Sequence, residues 1–377
     1  MSKKILLVAS VQSHIAQFHK PLIALLKNMG ATVHIAARNN LAEKNGLKID
    51  GADEIFDVPF ARSPISRKNL KAYKILKNII KNGNYDVIHC NTPVASILTR
   101  KAANKARKNG TKVIYTAHGF HFYKGASRKS WLLWYNIEKH YAKKTDILIT
   151  INREDYETAK QNFKTDVKYI HGVGVNENRF LNFSPEKVAQ IKEEFALDNY
   201  KVILCTGELN DNKNQKTVIS AMPQVLAKLP NVKLLIAGNG RNEGALKDQI
   251  NALGLNNNVF LLGYRSDLEN YVNAADLVVS ASLREGLGLN VIEGMICGKP
   301  AVVSDNRGHR ELVVNGENGF RVNALSDKEF AERIIEIFSS ESLYKKFSEK
   351  TVQMAKPFTI EPVTKELKNI YEELLDK

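Results

Sequence analysis

Cysteine, tryptophan and long apolar runs are scarce in this 377-residue chain, and each scarcity closes off a class of protein. Three cysteines (Cys90, Cys205, Cys297), odd in number and far apart, exclude a disulfide scaffold and have no metal-binding spacing. They read as reduced thiols of a cytoplasmic protein. No stretch approaches the ~18 apolar residues of a spanning helix. Met1-Ser-Lys-Lys followed by Ile5-Leu-Leu-Val-Ala9 is too short in its apolar part for a signal peptide, and no small-residue cleavage site follows. It reads as a first buried strand. Acidic residues are scarce in one half only. Residues 1–150 hold 26 Lys and Arg against 8 Asp and Glu, a net +18, whereas the remainder holds 29 against 32, a net −3.

What is present is ordinary globular material. The 44% hydrophobic and 25% charged content excludes intrinsic disorder, and the length suggests two domains. The basic first half suggests a polyanionic partner, either nucleic acid or an anionic membrane surface. Short Ile/Val/Leu runs alternate with amphipathic stretches. Strands are expected at Lys4–Ala9, Thr32–Ala37, Glu54–Val58, Asp86–Cys90, Lys112–Ala117, Asp146–Ile151 and Lys168–Gly172. Helices are expected between several of them, at Ile15–Asn28, Asn69–Lys81 and Ala95–Lys108. After a polar stretch, Asn176–Tyr200, the pattern restarts with strands at Val202–Cys205, Val232–Ala237, Val259–Gly263, Leu277–Ala281 and Ala301–Ser304. Unbroken apolar strands separated by helices mean parallel sheets covered on both faces. The expected architecture is therefore α/β, with two Rossmann-like doubly wound domains. Ligands of such domains bind beyond the carboxyl ends of the strands, and a cleft between the two is the expected site.

The densest motif is Ser280-Ala-Ser-Leu-Arg-Glu285-Gly-Leu-Gly288-Leu-Asn-Val-Ile-Glu293. A strand ends near Ala281, a glycine-bearing loop follows, and a helix starts near Leu289. Gly286 and Gly288 let backbone approach a ligand, and a helix N-terminus suits phosphate. Glu285 and Glu293 are carboxylates able to hold the vicinal hydroxyls of a ribose or sugar. On spacing alone, they are as readily a solvated loop residue and a helix-surface residue.

Glu285-x7-Glu293, placed before Gly298-Lys-Pro-Ala-Val, resembles the signature of the retaining glycosyltransferases of family four. Gly207-Glu-Leu-Asn-Asp-Asn-Lys213-Asn, Ala237-Gly-Asn-Gly240, Leu262-Gly-Tyr-Arg265-Ser-Asp267 and Glu311-Leu-Val-Val also resemble that family, as do Thr116-Ala-His118-Gly-Phe and Ile170-His-Gly-Val-Gly174. His118-Gly-Phe-His-Phe-Tyr-Lys-Gly and Thr150-Ile-Asn-Arg-Glu-Asp-Tyr156 resemble bacterial enzymes of capsular and exopolysaccharide assembly. The resemblance implies the GT-B fold, with an acceptor-binding domain at 1–175, a nucleotide-sugar domain at 176–359, and a last helix, 360–377, packing back on the first. It implies that Glu293 holds the ribose and Glu285 the transferred sugar. Backbone N–H groups of Leu287, Gly288, Leu289 and Asn290 would take the diphosphate. Lys213 would neutralise the leaving group, Tyr264 and Arg265 would lie near the base, and His118 would face the donor sugar.

The chain departs from the family in two loops. Glu208 stands where the family usually has Arg, so either Glu208 pairs with Lys213 or Arg241 supplies the missing charge. Ser10-Val-Gln-Ser-His14-Ile lacks the family's glycine-rich turn, and His14 and His19 are read as taking over part of that edge on the acceptor side, with Phe120 and Lys124. No His/Asp/Cys cluster or Asp-x-Asp pair is visible, so the expected reaction uses neither metal nor cofactor. Charge on the leaving group then falls to Lys213, nearby Arg and helix dipoles. The family implies front-face displacement.

Arg62, Arg67, Lys68, Lys71, Lys74, Lys77 and Lys81 occur without an acid, with Leu70, Tyr73, Leu76 and Ile80 at helical spacing. A second basic-aromatic cluster holds Trp131 and Trp134. Both suit an anionic membrane surface. They are also consistent with core stripes bearing a solvated basic face. The combined expectation is a cytoplasmic enzyme, peripheral on the inner face of the cell membrane, moving a sugar from a nucleotide-sugar, a UDP-sugar by family habit, to a lipid-linked glycan. A GT-B nucleotide-sugar epimerase and a transferase with a soluble acceptor are the alternatives. Nucleic-acid binding lacks any recognised motif.

Overall fold

Thirteen strands form among the residues described by the computed structural model, which are 2–43, 46–61 and 63–375. They make two wholly parallel sheets. In the first, β1 (Lys4–Val11), β2 (Thr32–Arg38), β3 (Glu54–Asp57), β4 (Val87–Asn91), β5 (Lys112–Ala117), β6 (Ile147–Thr150) and β7 (Asp166–Tyr169) run in the order β3-β2-β1-β4-β5-β6-β7. In the second, β8 (Lys201–Thr206), β9 (Val232–Ala237), β10 (Val259–Gly263), β11 (Leu277–Ser280), β12 (Ala301–Ser304) and β13 (Gly319–Val322) run in the order β10-β9-β8-β11-β12-β13. Ile5 pairs with Val33 on one side and Val87 on the other, so β1 is central. Ile5, Leu6, Leu7 and Val8 are all fully buried, which is why that run shows no polar alternation. The strand order reverses between β1 and β4 and again between β8 and β11. Loops following those strands are where an open parallel sheet receives its ligand.

The chain divides into two compact units. One comprises the residues up to Gly174 together with those from Ile360 on, and the other is Val175–Thr359. The last helix, Ile360–Leu375, belongs to the first unit. Its Tyr371 hydroxyl hydrogen-bonds His89 Nδ1 at 2.8 Å, and its Glu366 meets His171 Nδ1 at 2.6 Å. The first unit's core also encloses an ion pair, Arg100 Nη2 to Glu138 at 2.8 Å, with the guanidinium 4.2 Å from the Tyr115 ring centroid. Among the described residues, no helix is long and apolar enough to cross a membrane.

Three local differences from the sequence reading have physical causes. The expected helix Ile15–Asn28 is two, Gln12–Phe18 and Lys20–Asn28, interrupted at His19. Pro21 has no N–H to give and its ring clashes with a preceding carbonyl, so the helix restarts there. The polar stretch after Val175 holds helices Glu177–Leu181 and Pro185–Glu194, capped by the side chains of Asn176 and Ser184. Strand β13 escapes the apolar-run criterion because glycine and arginine occupy half of Gly-Phe-Arg-Val.

Candidate active site

Two βα loops of the second unit, after β8 and β11, are tied together. Leu283 N donates to Asn212 O at 2.7 Å, and Asn212 Nδ2 donates to Arg284 O at 3.0 Å. Asn214, held in the left-handed region, donates to Ala281 O at 3.1 Å. This clamp brings Lys213 onto Glu285, with Nζ 2.6 Å from Oε1. Lys213 therefore pairs with Glu285, while Glu208 is exposed. From below, Ser304 Oγ and Asn306 Nδ2 donate to Ser282 O at 2.5 and 2.9 Å. His309 is fully buried against Gly288. A Cβ at Gly288 would approach its Cδ2 to 3.1 Å, and the residue has φ +106° as the cap of helix Leu289–Ile296. Glycine is required there on both counts. Asn214 was picked out from the sequence only as the last residue of the motif that begins at Gly207, and His309 and Asn306 were not picked out. Their nearest signal was the position of Arg307-Gly-His-Arg just before Glu311-Leu-Val-Val.

The two carboxylates differ electrostatically. Burial opposes charge on Glu285, but Lys213 and His309 hold its pKa below the ordinary range. Burial raises Glu293 to about 7, against the opposing pull of Arg179 and Lys213. Glu285 is thus a fixed anion, and Glu293 changes charge near neutrality. Asn290 Nδ2 reaches Thr206 O at 3.2 Å, which joins the helix start to the end of β8 beside Gly207. Leu287 is buried, and Gly286 and Leu289 complete that loop and helix start.

The remaining second-unit candidates spread outward. Gly240 lies so close to Leu209 that a Cβ would sit 2.3 Å from its carbonyl oxygen. Arg241 is exposed and ion-paired to Asp211, which also accepts from Asn242 Nδ2 at 2.8 Å. Its charge is already engaged there. Tyr264 is exposed, whereas Arg265 lies over the Tyr271 ring at 5.4 Å.

In the first unit, Ser10 Oγ meets Thr92 Oγ1 at 2.8 Å, joining the end of β1 to the residue after β4. His118 follows β5 and contacts Asn91 Oδ1 through Nε2 at 3.0 Å. His14 and His19 lie beside it, with ring centroids 4.9 and 5.5 Å from that of His118. Burial lowers the pKa of His118 to about 4, and burial with the other imidazoles lowers His14 and His19 well below the usual range. All three are held neutral. No spacing in the sequence groups metal-ligating side chains, yet the fold assembles these three.

Two expectations for this unit need correction. Phe120 is a core residue stacked on Phe122 at 4.6 Å, so its ring does not face an acceptor. Trp131 and Trp134 are half-buried against the same core, and Trp131 Nε1 donates to Tyr123 O at 3.1 Å. The outward residues of that segment are Leu132 and Leu133, 74% and 54% exposed. On helix Lys68–Gly83 the buried stripe is Asn69, Ala72, Leu76 and Ile80. Leu70 instead lies outside, at 67% exposure, among exposed Arg67, Lys68, Lys71 and Lys74. Lys124 is exposed, and Arg62 lies outside the described residues.

The chain matches known proteins in sequence and in fold. Residues 187–354 match the family described as glycosyl transferases group 1, and residues 4–152 the one described as glycosyl transferase 4-like. EpsD of Bacillus subtilis (strain 168), a glycosyltransferase by name, is 41% identical over 380 residues, covering 100% of this chain and 98% of EpsD. The chain belongs to this glycosyltransferase family, and it is a glycosyltransferase. The Escherichia coli UDP-Gal:alpha-D-GlcNAc-diphosphoundecaprenol alpha-1,3-galactosyltransferase is 29% identical over 301 residues, 77% of this chain and 76% of that enzyme. Anabaena HepE, solved with UDP and glucose, superposes with a TM-score of 0.78 at 21% identity, covering 98% of this chain and 100% of HepE. That likeness is one of fold, the GT-B arrangement of two Rossmann-like domains.

Proposed function

We propose that this glycosyltransferase moves a sugar from a nucleotide-sugar, a UDP-sugar, to a lipid-linked glycan in bacterial surface polysaccharide synthesis, retaining the anomeric configuration. The observation that carries the reading is the Lys213–Glu285 pair at 2.6 Å, held beside the glycine-bearing start of helix Leu289–Ile296. A diphosphate lying on that helix start would meet N–H groups of Leu287 to Asn290 and the Lys213 ammonium. Glu285, fixed as an anion by the same lysine, would accept from sugar hydroxyls. Glu293, eight positions on, would accept from the ribose.

As the sugar–phosphate bond breaks, negative charge grows on the diphosphate. Lys213 and the helix N-terminus stabilise it there without needing to reorganise. The departing phosphate oxygen takes the proton of the attacking acceptor hydroxyl, and the new bond forms on the face just vacated. Support for the donor and acceptor classes comes from relatives: the E. coli enzyme is named for UDP-Gal and a diphosphoundecaprenol acceptor, and HepE was solved with UDP. The acceptor unit would dock on the inner face of the cell membrane. Ile65 and Leu70, exposed among Arg67, Lys68, Lys71 and Lys74, and Leu132 and Leu133, exposed after Arg128 and Lys129, support that docking.

The test is transfer from a panel of nucleotide sugars to a polyprenyl-diphosphate-linked glycan. Glu293→Ala should weaken donor binding, and Glu285→Ala should mainly lower turnover. Undiminished transfer in both variants would sink the site assignment.

A further inference from the structure

Several histidines of the first unit have hydrogen-bonded ring nitrogens. His34 Nδ1 meets the Tyr85 hydroxyl at 3.0 Å. His89 uses both nitrogens, with Tyr371 and Thr116 at 2.8 and 2.7 Å. His171 has Glu366. By contrast, Nε2 of His14 and Nε2 of His19 are buried with no hydrogen-bond partner. Two orphaned ring nitrogens in one small volume are costly unless something else fills the gap. Both residues lie against His118.

We propose that His14, His19 and His118 form a binding site for a divalent transition-metal ion of the zinc class. One ring nitrogen from each lies within 4.8 Å of those of the other two. Three ligands of a tetrahedral zinc ion, at about 2.0–2.1 Å from the metal, lie roughly 3.3 Å apart. Closing the set therefore asks only for small rotations of the imidazoles. His14 and His118 are half-buried and His19 is 4% exposed, which gives a rigid floor and an open side. A fourth position can hold water from that side. Burial keeps all three rings neutral, the form that binds metal. Three neutral nitrogens with no carboxylate suit a borderline ion such as zinc and not calcium or magnesium, which demand oxygen. Asn91 Oδ1, 3.0 Å from His118 Nε2, fixes that ring by accepting its proton and leaves Nδ1 free for a metal. His14 lies on helix Gln12–Phe18 and His19 at the break that follows it, and both rings pack against His118, which follows β5.

The site stands on the first unit's geometry and does not depend on the identity of the sugar. One consequence does rest on the proposed function. An ion on His118 occupies an imidazole expected beside the donor sugar, so zinc should slow transfer and a chelator should restore it.

The test uses the full chain, stripped by a chelator and desalted, then titrated with Zn2+ in competition with a chromophoric chelator. One ion per chain should bind, and His14→Ala and His19→Ala should each weaken binding at least tenfold while keeping the wild-type thermal transition. Co2+ bound to the unaltered chain should show the intense visible bands of tetrahedral coordination, a readout that does not depend on any variant folding. Absence of those bands, or equal zinc binding in both variants and the unaltered chain, overturns the proposal. Zinc that binds as expected but leaves transfer unchanged supports the site and counts against the role of His118 in transfer.

Discussion

Glu293 offers the sharpest test of the donor site because its charge and its role pull in opposite directions. Burial raises its pKa from the ordinary 4.5 to about 7, so in the free protein it is about half protonated at neutral pH. If the ribose hydroxyls require the carboxylate, donor affinity must fall as protons compete. Between pH 7.5 and 5.5 the ionised fraction drops about 25-fold, and the apparent Kd should rise by the same factor. The assay is calorimetric binding of an intact nucleotide sugar, whose diphosphate diester does not titrate in this window. His118 and His309, both lowered to about 4, do not titrate there either. Glu293→Gln should bind weakly at pH 7.5 and show a flat profile. The same carboxyl gives a stability effect of opposite sense. Its favourable protonated state is fully populated below about 4.5, and that contribution is lost as pH rises to about 7. A 2.5-unit difference is worth about 3 kcal/mol at most. Glu293→Gln should therefore raise thermal stability at pH 8 and leave it unchanged at pH 4. A donor Kd flat with pH in the unaltered protein, or a variant less stable at pH 8, would refute the reasoning.

Four further outcomes follow from the same structure. Lys213→Ala should lower kcat about 10²–10³-fold in steady-state transfer, because it removes the ammonium that meets the leaving diphosphate and frees Glu285 from its ion pair. Gly240→Ala forces a Cβ to within 2.3 Å of the Leu209 carbonyl oxygen, and denaturant titration should report a loss of about 1–3 kcal/mol. Glu138→Ala leaves the Arg100 guanidinium charged and buried in the first unit's core, so unfolding should cost about 3–5 kcal/mol less. Changing Lys68, Lys71 and Lys74 to Glu should weaken sedimentation with anionic vesicles by at least 100-fold, since each lysine contributes about 1 kcal/mol near such a surface, while transfer to a soluble acceptor analogue is kept.

Most of both sheets was legible because the central strands are nearly unbroken apolar runs. Ile5–Ala9 and Val232–Ala237 are buried on both faces and carry almost no polar interruption. The strand, glycine-bearing loop and helix start around Glu285 and Glu293 were also legible, whereas their roles and that of Lys213 came only with the family resemblance. The pairing of Lys213 with Glu285 came from neither. Lys213 and Glu285 are 72 positions apart, and only the adjacency of β8 and β11 joins them. The three-histidine cluster was hidden for the same reason, since His118 follows β5 while His14 and His19 lie on and at the end of the helix after β1. Aromatic residues misled where composition was read as exposure. Trp131, Trp134 and Phe120 suited a membrane or acceptor by type, yet Phe120 took a core place and the two tryptophans pack half-buried against that core. Leu132, Leu133 and Leu70 were left outside.

The last helix gives this protein an unusual order of assembly during synthesis. His89 of β4 finds its Nδ1 partner only in Tyr371, and between them the ribosome must make the whole second unit, Val175–Thr359. At 5–20 residues per second that delay is roughly 10–40 s, long enough for the second unit to fold first. The first unit then waits as a nearly complete sheet with one seam open. A chain ending before Ile360 and released from the ribosome should be protease-sensitive in its first unit and protected in its second.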